Sequence, residues 1–140
     1  AVSSIVRLAD MGIHHYLIAN SLVGLVAQRL MRKVCPHCGR EVAVTPQEQA
    51  LLGKDITTIK RGTGCTHCNG TGYRGRIAVH EIVTIDRNIR RMISRGAETE
   101  EIEAYAREQQ GMRSLKEKGL ELVKQGVTTP EELLRIAYYA

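Results

Sequence analysis

The chain has 140 residues, 43% of them hydrophobic, with no Trp, no Phe and five Tyr, so any core it builds is aliphatic. Twenty basic against fifteen acidic residues leave a net charge of +5, with no basic block large enough to define a nucleic-acid face. No apolar run approaches the roughly 20 residues that cross a bilayer, and the first residues lack the basic start, apolar stretch and small-residue cleavage site of a secretory signal.

The sequence opens on Ala1-Val2-Ser3-Ser4 and enters a helical pattern at once, with Ile5, Val6, Leu8 and Ala9 as an apolar stripe and Gly12 as its stop. A second helix is expected from about His15 to Gln28, carrying Leu17, Ile18, Leu22, Leu25 and Val26. It is apolar nearly all round, which suggests burial against something larger. Residues 1–34 therefore read as the tail of a bigger domain. Leu30, Arg32 and Val34 alternate as a short strand running into Cys35. Thr45-Pro46-Gln47-Glu48 is a capping box with Pro at the first helical position, and Gly53 closes the short helix it starts. Ile56 to Lys60 reads as extended, and Arg76 to Ile85 is the strongest strand pattern in the chain. Asp86 caps a helix with Ile89, Met92 and Ile93 on one face. Further helices are expected near 99–110, 114–125 and 130–138, the last repeating the start signal as Thr129-Pro130-Glu131-Glu132. Residues 86–140 read as a small all-helical unit.

The four cysteines form two C-x2-C pairs, Cys35/Cys38 and Cys65/Cys68, a pattern that points to a metal in a chain without a secretory signal. Zinc in structural sites takes a closed tetrahedral shell, and two such knuckles supply four thiolates. Gly39 after the first pair, and Asn69-Gly70-Thr71-Gly72 after the second, provide residues that tolerate the positive φ of a knuckle turn. Four unligated core cysteines are the bland alternative, but the flanking Pro36, His37, Thr66 and His67 do not look like core. A redox role for Cys35-Pro36-His37-Cys38 requires a helix leaving the motif, and Gly39-Arg40-Glu41-Val42 reads as turn and strand. His37 and His67 occupy equivalent places in the two pairs and read as solvated tip residues, not ligands. A shell of four thiolates has no open position, so the expected Zn2+ is structural. No phosphate-binding loop, nucleophile elbow or metalloprotease motif is present, and no catalytic residue is assigned.

The run Leu22 to Cys38, LVGLVAQRLMRKVCPHC, with Arg7-Leu8-Ala9-Asp10-Met11-Gly12-Ile13 before it, resembles the end of the motor domain in the type II secretion and type IV pilus assembly ATPases. Gly64 to Arg76, followed by His80-Glu81, is similar to the zinc segment of that family, and Gly126-Val127-Thr128 to Arg135 to its tail. The resemblance implies an α+β chain: the end of a RecA-like ATPase core at 1–34, a small tetracysteine zinc-ribbon-like subdomain with flanking strands at 35–85, and an α-helical C-terminal subdomain at 86–140. It further implies a hexameric ATPase, cytoplasmic and peripheral to the bacterial inner membrane, that powers pseudopilus or pilus assembly. ATP and Mg2+ would bind upstream in the parent protein. Implied partners are the other subunits of a homohexamer and the inner-membrane platform or ring proteins, with 35–82 contributing contact surface; no specific nucleic acid is implied. For Arg29 a nucleotide or neighbouring-subunit contact competes with ordinary strand packing, which is favoured. Two rival functions compete with this reading. A DnaJ-type chaperone zinc module matches Cys65 to Gly72 but not Cys35 to Val42. A nucleic-acid-binding zinc ribbon has only Tyr73 as a stacking aromatic.

Overall fold

The apolar stripe near the start forms α1 (Ser3–Asp10), and the next helix, α2 (His15–Ser21), begins where His14 Nδ1 accepts the Tyr16 N–H at 3.1 Å. The computed structural model, which describes residues 1–139, contains seven helices and two two-stranded sheets. Helix α2 ends seven residues, about two turns, before the Gln28 that the apolar run suggests. The Leu22 N–H closes it on Ile18, and Gly24–Val34 is a single eleven-residue strand, β1. The apolar residues 22–26 thus belong to an extended segment. Short apolar runs fit either period, and here β-branched Val23 and Val26 and the flexible Gly24 sit on the strand side of that choice. Nor does the segment bury all round, since Leu17 is 58% and Val26 65% exposed.

After β1 come β2 (Gly39–Ala43), α3 (Pro46–Leu52), β3 (Thr58–Gly62), one 3-10 turn at Thr66–Cys68, β4 (Tyr73–Thr84), α4 (Arg87–Ser94), α5 (Thr99–Gln110), α6 (Leu115–Lys124) and α7 (Pro130–Tyr139). Strands β2 and β3 are antiparallel, with Gly39 opposite Gly62 and Ala43 opposite Thr58. Strands β1 and β4 form the other sheet. Ile85 N–H donates to Val23 O and Cys35 N–H to Gly72 O, both at 2.9 Å, so partner numbers fall as chain numbers rise and this pair is antiparallel too.

The chain divides into two compact units whose boundaries cut across the expected segments: 1–27 with 80–113, and 28–79 with 114 onward. The four expected helices after residue 86 all form, but α4 and α5 belong to the first unit and α6 and α7 to the second. In the first unit Ile5, Ile18, Val83, Ile89, Ile93 and Ile102 are among the buried core residues. Asp86 fixes its strand-to-helix corner. One carboxylate oxygen accepts the Ile89 N–H at 2.9 Å, and the other accepts Tyr105 O–H at 2.8 Å and Gln110 Nε2–H at 3.1 Å. In the second unit Met31, Val123, Leu133 and Ile136 are buried. Helices α6 and α7 pack so closely that a Cβ on Gly119 would lie 2.9 Å from Leu133 Cδ1 and from Ile136 Cδ1. Among the described residues, no helix is long and apolar enough to cross a membrane.

Candidate metal centre

Each cysteine pair sits where one strand ends and another begins. Strand β1 delivers Cys35, and β2 leaves directly after Cys38. Strand β3 leads to Cys65, the 3-10 turn carries Cys68, and β4 starts at Tyr73. The two pairs are joined from both sides: β2 and β3 meet at Gly39 opposite Gly62, while Cys35 N–H bonds Gly72 O. That double connection needs backbone approach no side chain permits. A Cβ on Gly62 would fall 2.2 Å from Gly72 O, and one on Gly39 would fall 2.7 Å from Cys35 O. Among the described residues Asn69 is the one non-glycine with positive φ, at 54°, and it turns the second knuckle.

The four Sγ atoms consequently lie within 4.8 Å of one another, and none is in a disulfide. Cys35–Cys65 and Cys38–Cys68 are 3.8 Å apart and Cys65–Cys68 3.7 Å. A tetrahedron with metal–sulfur bonds of about 2.3 Å has edges of about 3.8 Å, so these separations fit a four-thiolate shell. Three backbone N–H groups point at sulfur: Gly64 to Cys38 at 3.3 Å, and Cys65 and Gly72 to Cys68 at 3.2 Å each. Such donors stabilise negative sulfur, the form a metal binds. Burial pushes the Cys68 thiol up, but the N–H groups of Cys65 and Gly72 with the Cys65 and Cys38 thiols outweigh it and bring it to about 6. Cys35 is also lowered: burial opposes, while the N–H groups of Cys38 and His37 prevail. Cys65 is pushed up to about 11, chiefly by burial and by donating to its sulfur neighbours.

The family comparison runs through these same residues. Residues 1–135 match the family described as Type II/IV secretion system protein. The chain belongs to that family. Among its relatives, the type IV pilus assembly ATPase PilB of Thermus thermophilus is 42% identical over 139 residues, which are 96% of this chain and 16% of that protein. The type II secretion system ATPase E of Vibrio cholerae is 37% identical over 139 residues, 97% of this chain and 27% of that protein. The putative type II secretion system protein E of Escherichia coli K12 is 35% identical over 140 residues, 98% of this chain and 28% of that protein. This member of the family thus spans between 16% and 28% of the length of these relatives.

Around the knuckles this secretion-family chain holds features the sequence did not announce. His37 and His67, both exposed, stack with ring centroids 3.7 Å apart and planes 16° from parallel. Their equivalent places in the two pairs were the available signal. The strand entering Cys35 is backed by residues about a hundred positions later: Val34 N–H donates to Val127 O at 2.8 Å, and Thr128 Oγ1 to Arg32 O at 2.7 Å. Tyr73 O–H and Thr129 Oγ1 are 2.7 Å apart, and the Arg32 guanidinium lies 4.0 Å above the Tyr73 ring. Glu132, whose side chain is 1% exposed, accepts Arg32 N–H and Nε–H at 2.8 Å each and Arg135 Nε–H at 2.9 Å. Burial pushes its carboxyl up, but Arg135 and the two Arg32 donors outweigh burial and hold it below the ordinary value. Arg29, by contrast, is exposed, with one guanidinium contact to Gln28 O at 3.4 Å.

Proposed function

We propose that this chain is the C-terminal region of an ATP-hydrolysing motor for type II secretion or type IV pilus assembly, and that Cys35, Cys38, Cys65 and Cys68 hold a structural Zn2+ within it. The observation that carries the metal assignment is the clustering of four sulfurs at tetrahedral-edge spacing under three N–H donors. The assignment to a motor rests on the family match over 1–135 and on relatives named as pilus assembly and secretion ATPases. The chaperone-like pattern covers only 65–72, and nothing beyond it favours that reading.

In this proposal residues 1–34 are the end of a RecA-like core, 35–85 the zinc segment and 86–140 the helical region. ATP and Mg2+ bind elsewhere in the longer hexameric protein, on the cytoplasmic face of the inner membrane. When bound, the metal supplies cross-linking energy to two knuckles whose own buried cluster consists of the cysteines alone. The chain's residues do the remaining work. The β2–β3 pair and the Cys35–Gly72 bond set the two knuckles opposite each other, and the α7 start braces the strand entering Cys35. The knuckle segment so held is suited to contact neighbouring subunits or inner-membrane platform proteins.

Native mass spectrometry of the chain, with thiols counted after denaturation, tests the metal assignment. One zinc per chain and four released thiols are expected; metal-free protein with disulfides overturns it. The motor assignment is tested separately in the full-length protein of the source bacterium. A double Cys65→Ser/Cys68→Ser variant is expected to abolish secretion or pilus assembly, and full assembly by that variant would remove the region from the machine's working parts.

A further inference from the structure

Helix α4 and the turn after it carry a charge pattern unlike any other helix of the chain. From Arg87 to Ala97 there are four arginines and no acid, in a chain whose net charge is +5. Helices α5, α6 and α7 all mix signs. Like charges three and four positions apart repel along a helix, so an all-arginine face is not what solvation alone selects. Arg87, Arg90, Arg91 and Arg95 line a concavity of about 520 Å³ together with Tyr16 and Asn20 of α2.

Two of these arginines are already held. Arg90 Nε–H donates to Ala19 O at 2.9 Å, fixing its guanidinium with both terminal nitrogens left over, and Arg95 pairs with Glu101. The guanidinium groups of Arg87 and Arg91 have no ion-pair or hydrogen-bond partner among the described residues. The carboxylate of Asp86 accepts from Ile89, Tyr105 and Gln110 and makes no ion pair with these arginines. With Arg95 offset, three guanidinium charges stand uncompensated around one cavity.

We propose that this pocket is a binding site for a soluble, multiply charged phosphate ligand of the diphosphate type. Guanidinium forks match phosphate oxygens in bidentate pairs. One phosphomonoester, at about −2, leaves the pocket positive, whereas a diphosphate balances it. Asn20 adds an amide donor at the rim, and its position is fixed by its 2.9 Å bond to Tyr16 O. The site is independent of the cysteine cluster and of the motor assignment.

The test is calorimetric titration of inorganic pyrophosphate into the 140-residue chain at low salt, with backbone amide shifts recorded over residues 16–20 and 87–95. Saturable binding with shifts confined to those segments is expected. Arg87→Gln/Arg91→Gln should weaken it about tenfold or more, while Lys116→Gln/Lys118→Gln leaves it unchanged. Should the first variant fail to fold, Arg87→Lys/Arg91→Lys keeps the charge but removes the forks, and a few-fold loss is expected. Absence of pyrophosphate binding overturns the proposal. So does equal weakening by the lysine control, which would report bulk charge. Binding only to phosphatidylglycerol-containing vesicles, with none to pyrophosphate, overturns it as well, since that outcome describes a diffuse basic surface and not a pocket.

Discussion

Residues 1–27 and 80–113 bury twelve apolar side chains in one cluster, from Val2 just before α1 to Met112 beyond α5. Around the two knuckles the buried cluster is Cys35, Cys38 and Cys68, with Cys65 half-buried against it. The first region excludes water with branched aliphatic side chains, which attract one another without direction. The knuckle turns have almost nothing of that kind, being glycines and polar tips such as His37 and His67, and the buried Leu52, Ile56 and Ile59 between the pairs are not part of the sulfur cluster. Four sulfurs at metal-binding distance replace the missing apolar area. On the proposed zinc assignment, one chain contains a region whose order depends on burial and another whose order depends on coordination.

If the four cysteines hold zinc as proposed, removing it is the largest perturbation available. Structural zinc in small modules contributes on the order of 10–16 kcal/mol of apparent binding energy at neutral pH, far more than any single side chain. Chelation should release amide protection through 35–72, including the Gly64, Cys65 and Gly72 N–H groups that now face sulfur, while amides of α4 and α5 stay protected. Hydrogen exchange read by mass spectrometry checks this. Loss of protection in both regions together would break the comparison.

The reverse experiment weakens burial and spares coordination. Ile89 is fully buried in the aliphatic cluster, and Ile89→Ala should cost about 2–5 kcal/mol through lost transfer energy and the cavity left behind. Zinc content per chain should not change. Thermal unfolding paired with metal quantification reads both quantities. A variant that loses zinc in proportion to its stability would show that the two regions do not stand independently.

Local chemistry was legible and distant pairing was not. The capping box at Thr45 is present as the spacing requires: Thr45 Oγ1 accepts Glu48 N–H at 3.2 Å, and Glu48 accepts Thr45 N–H at 2.9 Å. Asp86 caps α4, and the C-x2-C spacing foretold that four sulfurs would gather. The second helix was over-extended because residues 22–26 are apolar under both periods, and only pairing with a strand some sixty residues later decides between them. Thr129-Pro130-Glu131-Glu132 shows the limit most clearly. It has the same signal as Thr45-Pro46-Gln47-Glu48 and likewise begins a helix, with Glu132 N–H 3.4 Å from Thr129 Oγ1. Yet the Glu132 carboxylate, unlike that of Glu48, turns to Arg32 and Arg135. Nothing within four residues of Glu132 announces a partner a hundred positions away.

That carboxylate gives the smallest and most specific test, because it braces the strand leading into Cys35 with neither aliphatic burial nor metal. Glu132→Gln keeps the shape but removes the charge. Arg32 and Arg135 are half-exposed, with side chains 51% and 52% accessible, so water compensates them once the pair is broken. The cost should then be about 1–3 kcal/mol, nearer that of a lost charged hydrogen bond than of a stranded buried charge. Its pH dependence has a definite sign. The native carboxyl lies below its ordinary value of 4.5, so its stabilisation is complete above that value and fades as pH falls through the depressed native one. The stability gap between wild type and Glu132→Gln, measured by urea unfolding of the zinc-loaded chain, should be constant near neutrality and should close in acid. Since acid also displaces metal from thiolates, the comparison is restricted to pH values at which zinc content is verified as unchanged. A gap that stays constant wherever zinc is retained below pH 4.5, or one that widens there, would show that Glu132 acts by packing and not by charge.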